Sequence, residues 1–134
     1  MKALHKFLLA LAIVLLLLNA IGAIYGGISF VLNPSGKSLG MPVSWLNKSP
    51  FSDYLIPGII LLIANGIGSL IALGLILCKI RYRYAGIAVQ GIILLGWMSV
   101  QIIMLQTFAG PQIAFTAIGV SLTLLGLTLS RINK

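Results

Sequence analysis

The run FLLALAIVLLLL at residues 7–18 decides the fold class, because its unbroken apolar side chains leave no face for water. Apolar character continues to Leu32 with few polar interruptions. A helix over residues 7–32, at about 1.5 Å per residue, is longer than the roughly 30 Å hydrocarbon core of a bilayer. The sequence therefore predicts a transmembrane helix that is tilted or that projects beyond the bilayer at one end.

Three further apolar runs follow the first, and only the connection at residues 33–53 is long. Of the 134 residues, 60% are hydrophobic and 7% are charged, a composition suited to lipid rather than to water. We expect an all-α membrane protein, an antiparallel four-transmembrane-helix bundle that forms a single domain over residues 1–134. The predicted spans are residues 7–32, 54–78, 85–108 and 112–129, with a tight turn at Ala109-Gly110-Pro111 before the last.

The charges predict the orientation of the chain. Nine Lys and Arg residues stand against a single acid, Asp53, which gives a net charge of +8. Because the basic residues lie at the ends of apolar runs, we expect them to meet the headgroups of the lipid bilayer, with no nucleic acid as partner. All but Lys37 and Lys48 fall on the face shared by the termini and the 79–84 loop. The positive-inside rule therefore predicts a multi-pass membrane protein with both termini cytoplasmic.

The first span has a second interpretation, as a secretory signal peptide. Lys2, His5 and Lys6 form a basic start, and Ala20-Ile21-Gly22 resembles a cleavage site. Continuation of the apolar run through Leu32 favours an uncleaved membrane anchor, because cleavage would leave three spans.

Polar side chains at similar depth are the most informative feature inside the spans. Counting from the span ends places Asn19, Asn65, Trp97 and Thr123 near the bilayer midplane, with Gln101 about one turn outward. We name these five residues the predicted polar layer. An amide left unpaired in hydrocarbon is costly, so these side chains should face inward. Three interpretations stay open: a structural hydrogen-bond layer, a pocket for a small ligand or substrate, and a conducting path.

Small residues occur where helices in lipid need them for close approach. The first span contains Gly22-x-x-x-Gly26, and the fourth carries Gly119, Thr123 and Gly126 on one face. The pattern fits packing within one chain and also homodimerisation, so both interpretations are kept.

Enzyme activity is not expected. No Asp, Glu, Lys, Arg or His lies inside a predicted span, which disfavours a proton-driven transporter. Asp53 and His5 are predicted on opposite membrane faces and therefore cannot form an acid-base pair. Cys78 is the only cysteine, and no metal-ligand spacing or phosphate-binding loop occurs, so we expect no metal and no cofactor.

The first loop carries a resemblance. Its distinctive stretches are NPSG at residues 33–36, LGMP at 39–42 and SPFSDYLIPG at 49–58. The loop resembles the first-loop signature of uncharacterised small four-span bacterial integral membrane proteins. The resemblance implies a bacterial cytoplasmic membrane and a four-helix fold, and it implies no activity for any residue.

The leading functional hypothesis is a membrane protein that works by association with itself or with partner membrane proteins. Its candidate contact surface is the outer loop around Trp45, Phe51 and Asp53, although Asp53 is also placed to cap the second span. The alternative is a small transporter component, or a binding protein for an uncharged solute or lipid, that uses the predicted polar layer.

Overall fold

The computed structural model describes residues 2–36, 43–46, 50–105 and 110–132. Within these ranges the chain is helical and has no β-strand, and four of its helices are long and apolar enough to cross a membrane. The elements are α1 (Lys2–Leu32), a short 3-10 helix (Val43–Leu46), α2 (Leu55–Leu61), a π segment (Leu62–Ile67), α3 (Gly68–Leu77), α4 (Arg83–Leu105) and α5 (Gly110–Ile132).

Four helices long and apolar enough to span a membrane, as the sequence predicts, are therefore confirmed. The second candidate span, Leu55–Leu77, consists of α2, the π segment and α3 without a break. The last helix begins earlier than expected, because Gly110 and Pro111 belong to α5 rather than to the predicted turn. Proline fits a first helical turn, where its missing N–H group costs nothing. Ala109 lies outside the described residues.

Apolar side chains cover most of the exterior. Phe7 and Ile103, for example, are 63% and 73% exposed. A soluble protein rarely exposes so many large apolar groups, whereas lipid solvates them without cost. The main apolar core lies between α1, α3, α4 and α5 and is centred on fully buried Leu16, Ile87 and Leu122.

Two aromatic contacts define the ends of the helical assembly. At the His5 end, the start of α1 meets the start of α4 through a 2.7 Å hydrogen bond between His5 Nε2 and Tyr84 Oη. At the Phe30 end, the ring of Phe30 stacks on Tyr54 with 4.7 Å between centroids. The Tyr54 N–H donates to the Pro34 carbonyl at 2.9 Å, which ties the entry of α2 to the exit of α1.

Glycine sets the spacing of α4 and α5. A Cβ atom on Gly91 would lie 2.5 Å from the Thr123 backbone nitrogen, and one on Gly126 would overlap the backbone of Ala88. Gly22 and Gly26 of α1 likewise face Phe115 and Leu61 of the same chain. The described contacts of these small residues are thus contacts within one chain.

We expect Gly126→Ala to lower the free energy of unfolding by about 1–3 kcal/mol, the usual cost of overpacking, because the new methyl group meets Ala88 backbone. The matched control is Gly96→Ala in α4, where no atom lies within 4 Å of the added Cβ. The control should be neutral or slightly stabilising, since alanine favours helix over glycine. Unfolding by SDS in dodecyl maltoside micelles measures both, and equal values for the two variants would contradict the close α4–α5 approach.

Candidate functional site

The predicted polar layer divides into separate hydrogen-bonded groups. Asn19 of α1 donates from Nδ2 to Ser69 Oγ of α3 at 2.8 Å. Both side chains are buried, with 1% and 0% exposure. Ser69 was not among the predicted site residues, although a hydroxyl four positions after Asn65 was visible in the sequence.

Asn65 lies in the π segment and is fully buried. Its partner is Gln90 of α4, whose Nε2 donates to the Ala64 carbonyl at 3.2 Å and, at a long 3.5 Å, to Asn65 Oδ1. Asn65 Nδ2 has no hydrogen-bond partner among the described residues. Single π turns are often found at functional sites, because the extra residue changes the direction of neighbouring side chains.

Gln101 and Thr123 have local partners of their own. Gln112 near the start of α5 donates from Nε2 to Gln101 Oε1 at 3.3 Å and so links α5 to α4. The Thr123 hydroxyl donates to the Gly119 carbonyl of its own helix at 2.8 Å. Thr123 therefore shares no described hydrogen bond with the amides of the predicted polar layer.

A cavity of about 150 Å³ brings three of the five predicted residues together. It lies between α1, α2, α4 and α5, and we name it the central cavity. Its polar lining consists of Asn19, Trp97, Gln101 and Gln112, and the remaining lining residues are apolar or glycine. Asn65 and Thr123 are not part of its wall.

Glycines of α1 let bulky side chains of other helices approach closely at this cavity. Gly22 and Gly26 both line it. A Cβ on Gly22 would lie 2.6 Å from Phe115 Cζ, and one on Gly26 would lie 3.2 Å from Leu61 Cδ2. The Gly22-x-x-x-Gly26 pattern thus admits two bulky side chains from α5 and α2 to the cavity wall.

Trp97 is the unusual member of the wall. Its side chain is 7% exposed, yet its indole Nε1 has no hydrogen-bond partner among the described residues. A buried tryptophan N–H usually finds an acceptor, and leaving one unmade costs about 1–3 kcal/mol. One of the residues that line the central cavity therefore carries a buried donor with unused hydrogen-bonding capacity.

Of the predicted loop contacts, Phe51 packs within the protein. It lies against a small apolar cluster at the Phe30 end, formed by Phe30, Leu46 and Tyr54. Burial raises the pKa of the Tyr54 phenol above its usual value. This part of the loop contributes to the fold.

Asp53 acts as a cap. Its Oδ1 accepts a hydrogen bond from the N–H of Leu55, the first residue of α2, at 3.1 Å. Trp45 belongs to the short 3-10 helix, and its side chain lies outside the part of the structure that is described.

Groups with acid-base or metal chemistry are scattered. Asp53 lies at the Phe30 end, His5 bonds Tyr84 at the other end, and Cys78 is exposed. Within the described ranges, no three His, Cys, Asp or Glu side chains gather to hold a metal ion.

No known protein-family pattern, curated protein sequence or solved structure matches the chain. The resemblance of the first loop to small four-span bacterial membrane proteins therefore stays a prediction. Arguments about function rest on the geometry of the chain itself.

A double-mutant cycle on Asn19→Ala and Ser69→Ala should give a positive coupling energy of about 0.6 kcal/mol, the average for hydrogen bonds between membrane helices. Ser99→Ala is the control, because the Ser99 hydroxyl donates only to Leu95 of its own helix on the exposed face. Unfolding in mixed micelles gives each value. Zero coupling between Asn19 and Ser69 would contradict the α1–α3 hydrogen bond.

Proposed function

We propose that the chain is a non-enzymatic multi-pass protein of the cell membrane, folded as an antiparallel four-helix bundle with both termini cytoplasmic. Four apolar helices of spanning length support the membrane location. Two contacts support the antiparallel order. The Phe30–Tyr54 contact joins the end of the first span to the start of the second, and the His5–Tyr84 contact brings the starts of the first and third spans together. The excess of Lys and Arg near the His5 end supports its cytoplasmic position.

Its function, in this proposal, is to bind a small uncharged molecule in the central cavity. The observation that carries the proposal is the unpartnered indole N–H of Trp97, a residue that lines that cavity. A bound molecule with one hydrogen-bond acceptor would satisfy this donor. The protein would then serve as a binding protein or as a transporter component for an uncharged solute or lipid.

Size and polarity of the cavity define the class of ligand. An engineered apolar cavity of about 150 Å³ in another protein accepts benzene, so the central cavity of about 150 Å³ suits a ring of that size or the end of a larger molecule. Among the residues that the structure describes, no charged side chain lines the cavity. A charged ligand is disfavoured, because no countercharge would offset its loss of hydration.

Association with itself or with partner membrane proteins is the second candidate, and Gly96 is the observation that favours it. Gly96 lies on the exposed face of α4, and no atom lies within 4 Å of a Cβ built there. Ser99 is exposed one turn further along the same helix. Small residues on a lipid-facing surface permit another helix to approach closely.

The binding proposal is tested in the Trp45→Phe variant, where Trp97 is the only tryptophan. In nanodiscs, its fluorescence should change saturably with cyclopentanone, because the ketone oxygen accepts the indole N–H. Cyclopentane, a ring of similar size without an acceptor, should bind about 5- to 150-fold more weakly, the cost of an unmade buried hydrogen bond.

Ala23→Leu is the blocking control, because Ala23 is 2% exposed and lines the central cavity. Ala117→Leu is its match on the exposed face of α5. Saturable cyclopentanone binding should disappear in the first variant and persist in the second. A linear, unsaturable response in the unblocked protein would mean partition into lipid alone and would refute the binding proposal.

A further inference from the structure

A second concave surface shares no lining residue with the central cavity. It is a groove of about 490 Å³ between α3 and α4, which we name the α3–α4 groove. Its lining combines small residues with larger, mostly aliphatic side chains. The small residues are Gly68, Ala72, Ala85 and Gly86.

The groove has the length of one bilayer leaflet. Its lining on α4 runs from Ala85 to Ile93, which is about 12 Å at 1.5 Å per residue, and Tyr82 extends it beyond the helix start. Half of a hydrocarbon core is about 15 Å. Gln90 lines the inner half of the groove, but its side chain is 2% exposed and already donates to the Ala64 carbonyl. The other lining residues are therefore available for contact with an apolar chain.

Exposed cations lie in the connection between α3 and α4, near Tyr82 of the groove lining. Lys79 and Arg81 are exposed, and the Arg81 guanidinium lies 5.4 Å from the centroid of the Tyr82 ring. Arg83 is engaged differently, because its Nη1 donates to the Ile80 carbonyl at 2.9 Å.

Lys79 occupies a backbone position where glycine is usual. Its φ is 53°, in the left-handed region. Its N–H donates to the Ile76 carbonyl at 3.1 Å, and the Ile80 N–H donates to the Leu75 carbonyl at 2.9 Å, which is the pattern of a Schellman motif. A side chain at this position costs about 1–2 kcal/mol relative to glycine. The backbone of this turn is therefore strained at Lys79, whose side chain is a cation.

No acidic side chain can pair with these cations, because the only one in the sequence, Asp53, bonds the start of α2 at the Phe30 end. An anionic side chain or headgroup that pairs with Lys79 and Arg81 would come from another molecule. A second copy of this chain fits poorly, because it would bring the same cations.

We propose that the α3–α4 groove binds an anionic glycerophospholipid. One acyl chain lies in the groove, the phosphate pairs with Lys79 and Arg81, and Tyr82 lies at the boundary between chain and headgroup. The apolar groove and the adjacent cations thus follow one another in the same order as the acyl chain and the phosphate of a phospholipid. This proposal does not depend on the proposed ligand binding in the central cavity.

Native mass spectrometry of the full chain in detergent, with added phosphatidylglycerol or phosphatidylcholine of identical chains, tests the proposal. We expect one tightly held phosphatidylglycerol and weaker phosphatidylcholine. Ala85→Phe fills the groove and should weaken phosphatidylglycerol about tenfold or more, because the chain loses buried apolar area. Ala117→Phe, on the exposed face of α5, should leave binding unchanged.

Arg81→Gln tests the headgroup and leaves the helices intact. It should weaken phosphatidylglycerol about fivefold and leave phosphatidylcholine unchanged, as expected for one cation at an anionic surface. Arg131→Gln removes the same charge from an exposed position in the last turn of α5 and should have no effect.

Lys79→Gly separates binding from folding. Relief of the positive φ should raise the SDS midpoint, while loss of the cation weakens phosphatidylglycerol about fivefold. Equal binding of the two lipids, equal effects of Arg81→Gln and Arg131→Gln, or full binding by Ala85→Phe would each overturn the proposal. The proposal would also be overturned if the protein formed a dimer without lipid and Ala85→Phe converted it to a monomer. The groove would then be occupied by a second copy of the chain.

Discussion

The requirement that governs this molecule is that polar groups between apolar helices must be satisfied without water. The chain meets it with pairs that each connect two spans. Asn19 bonds Ser69, Gln90 bonds the backbone beside Asn65, and Gln112 bonds Gln101. Lipid gives helices no hydrophobic reason to associate, so such bonds and close glycine contacts are what hold the four spans together.

Among the described residues, two buried side-chain donors lack a hydrogen-bond partner, and their surroundings differ. Asn65 Nδ2 lies in the π segment, away from the central cavity wall. Trp97 Nε1 belongs to a residue that lines the cavity. A ligand in the cavity could accept a hydrogen bond from a residue that lines it, whereas an unpaired group away from the cavity is out of such a ligand's reach. For this reason the functional proposal rests on Trp97.

The sequence was sufficient to predict the four spans, because uninterrupted apolar runs of spanning length allow little else. It also identified Asp53 at the start of α2 and grouped Asn19, Trp97 and Gln101, which line one cavity. It did not predict how the polar residues pair. Pairing depends on the rotation of each helix about its axis, and the π segment adds a residue to one turn and so rotates α3 relative to α2.

Two partners were missed for related reasons. Ser69 lies just beyond the π segment, where a regular helical count no longer gives the facing direction. Gln112 was expected as the first residue of the fourth span, and the earlier start of α5 places it inside the helix, where it bonds Gln101. The cavity depends on how Phe115 of α5 and Leu61 of α2 pack against Gly22 and Gly26, and no local sequence pattern specifies these neighbours.

A high-resolution structure of the protein in lipid nanodiscs tests the central claim most directly. The account predicts non-protein density in the central cavity, with an acceptor atom within hydrogen-bond distance of Trp97 Nε1. A closed cavity without such density, in which the Trp97 indole N–H donates to a group of the protein itself, would contradict it.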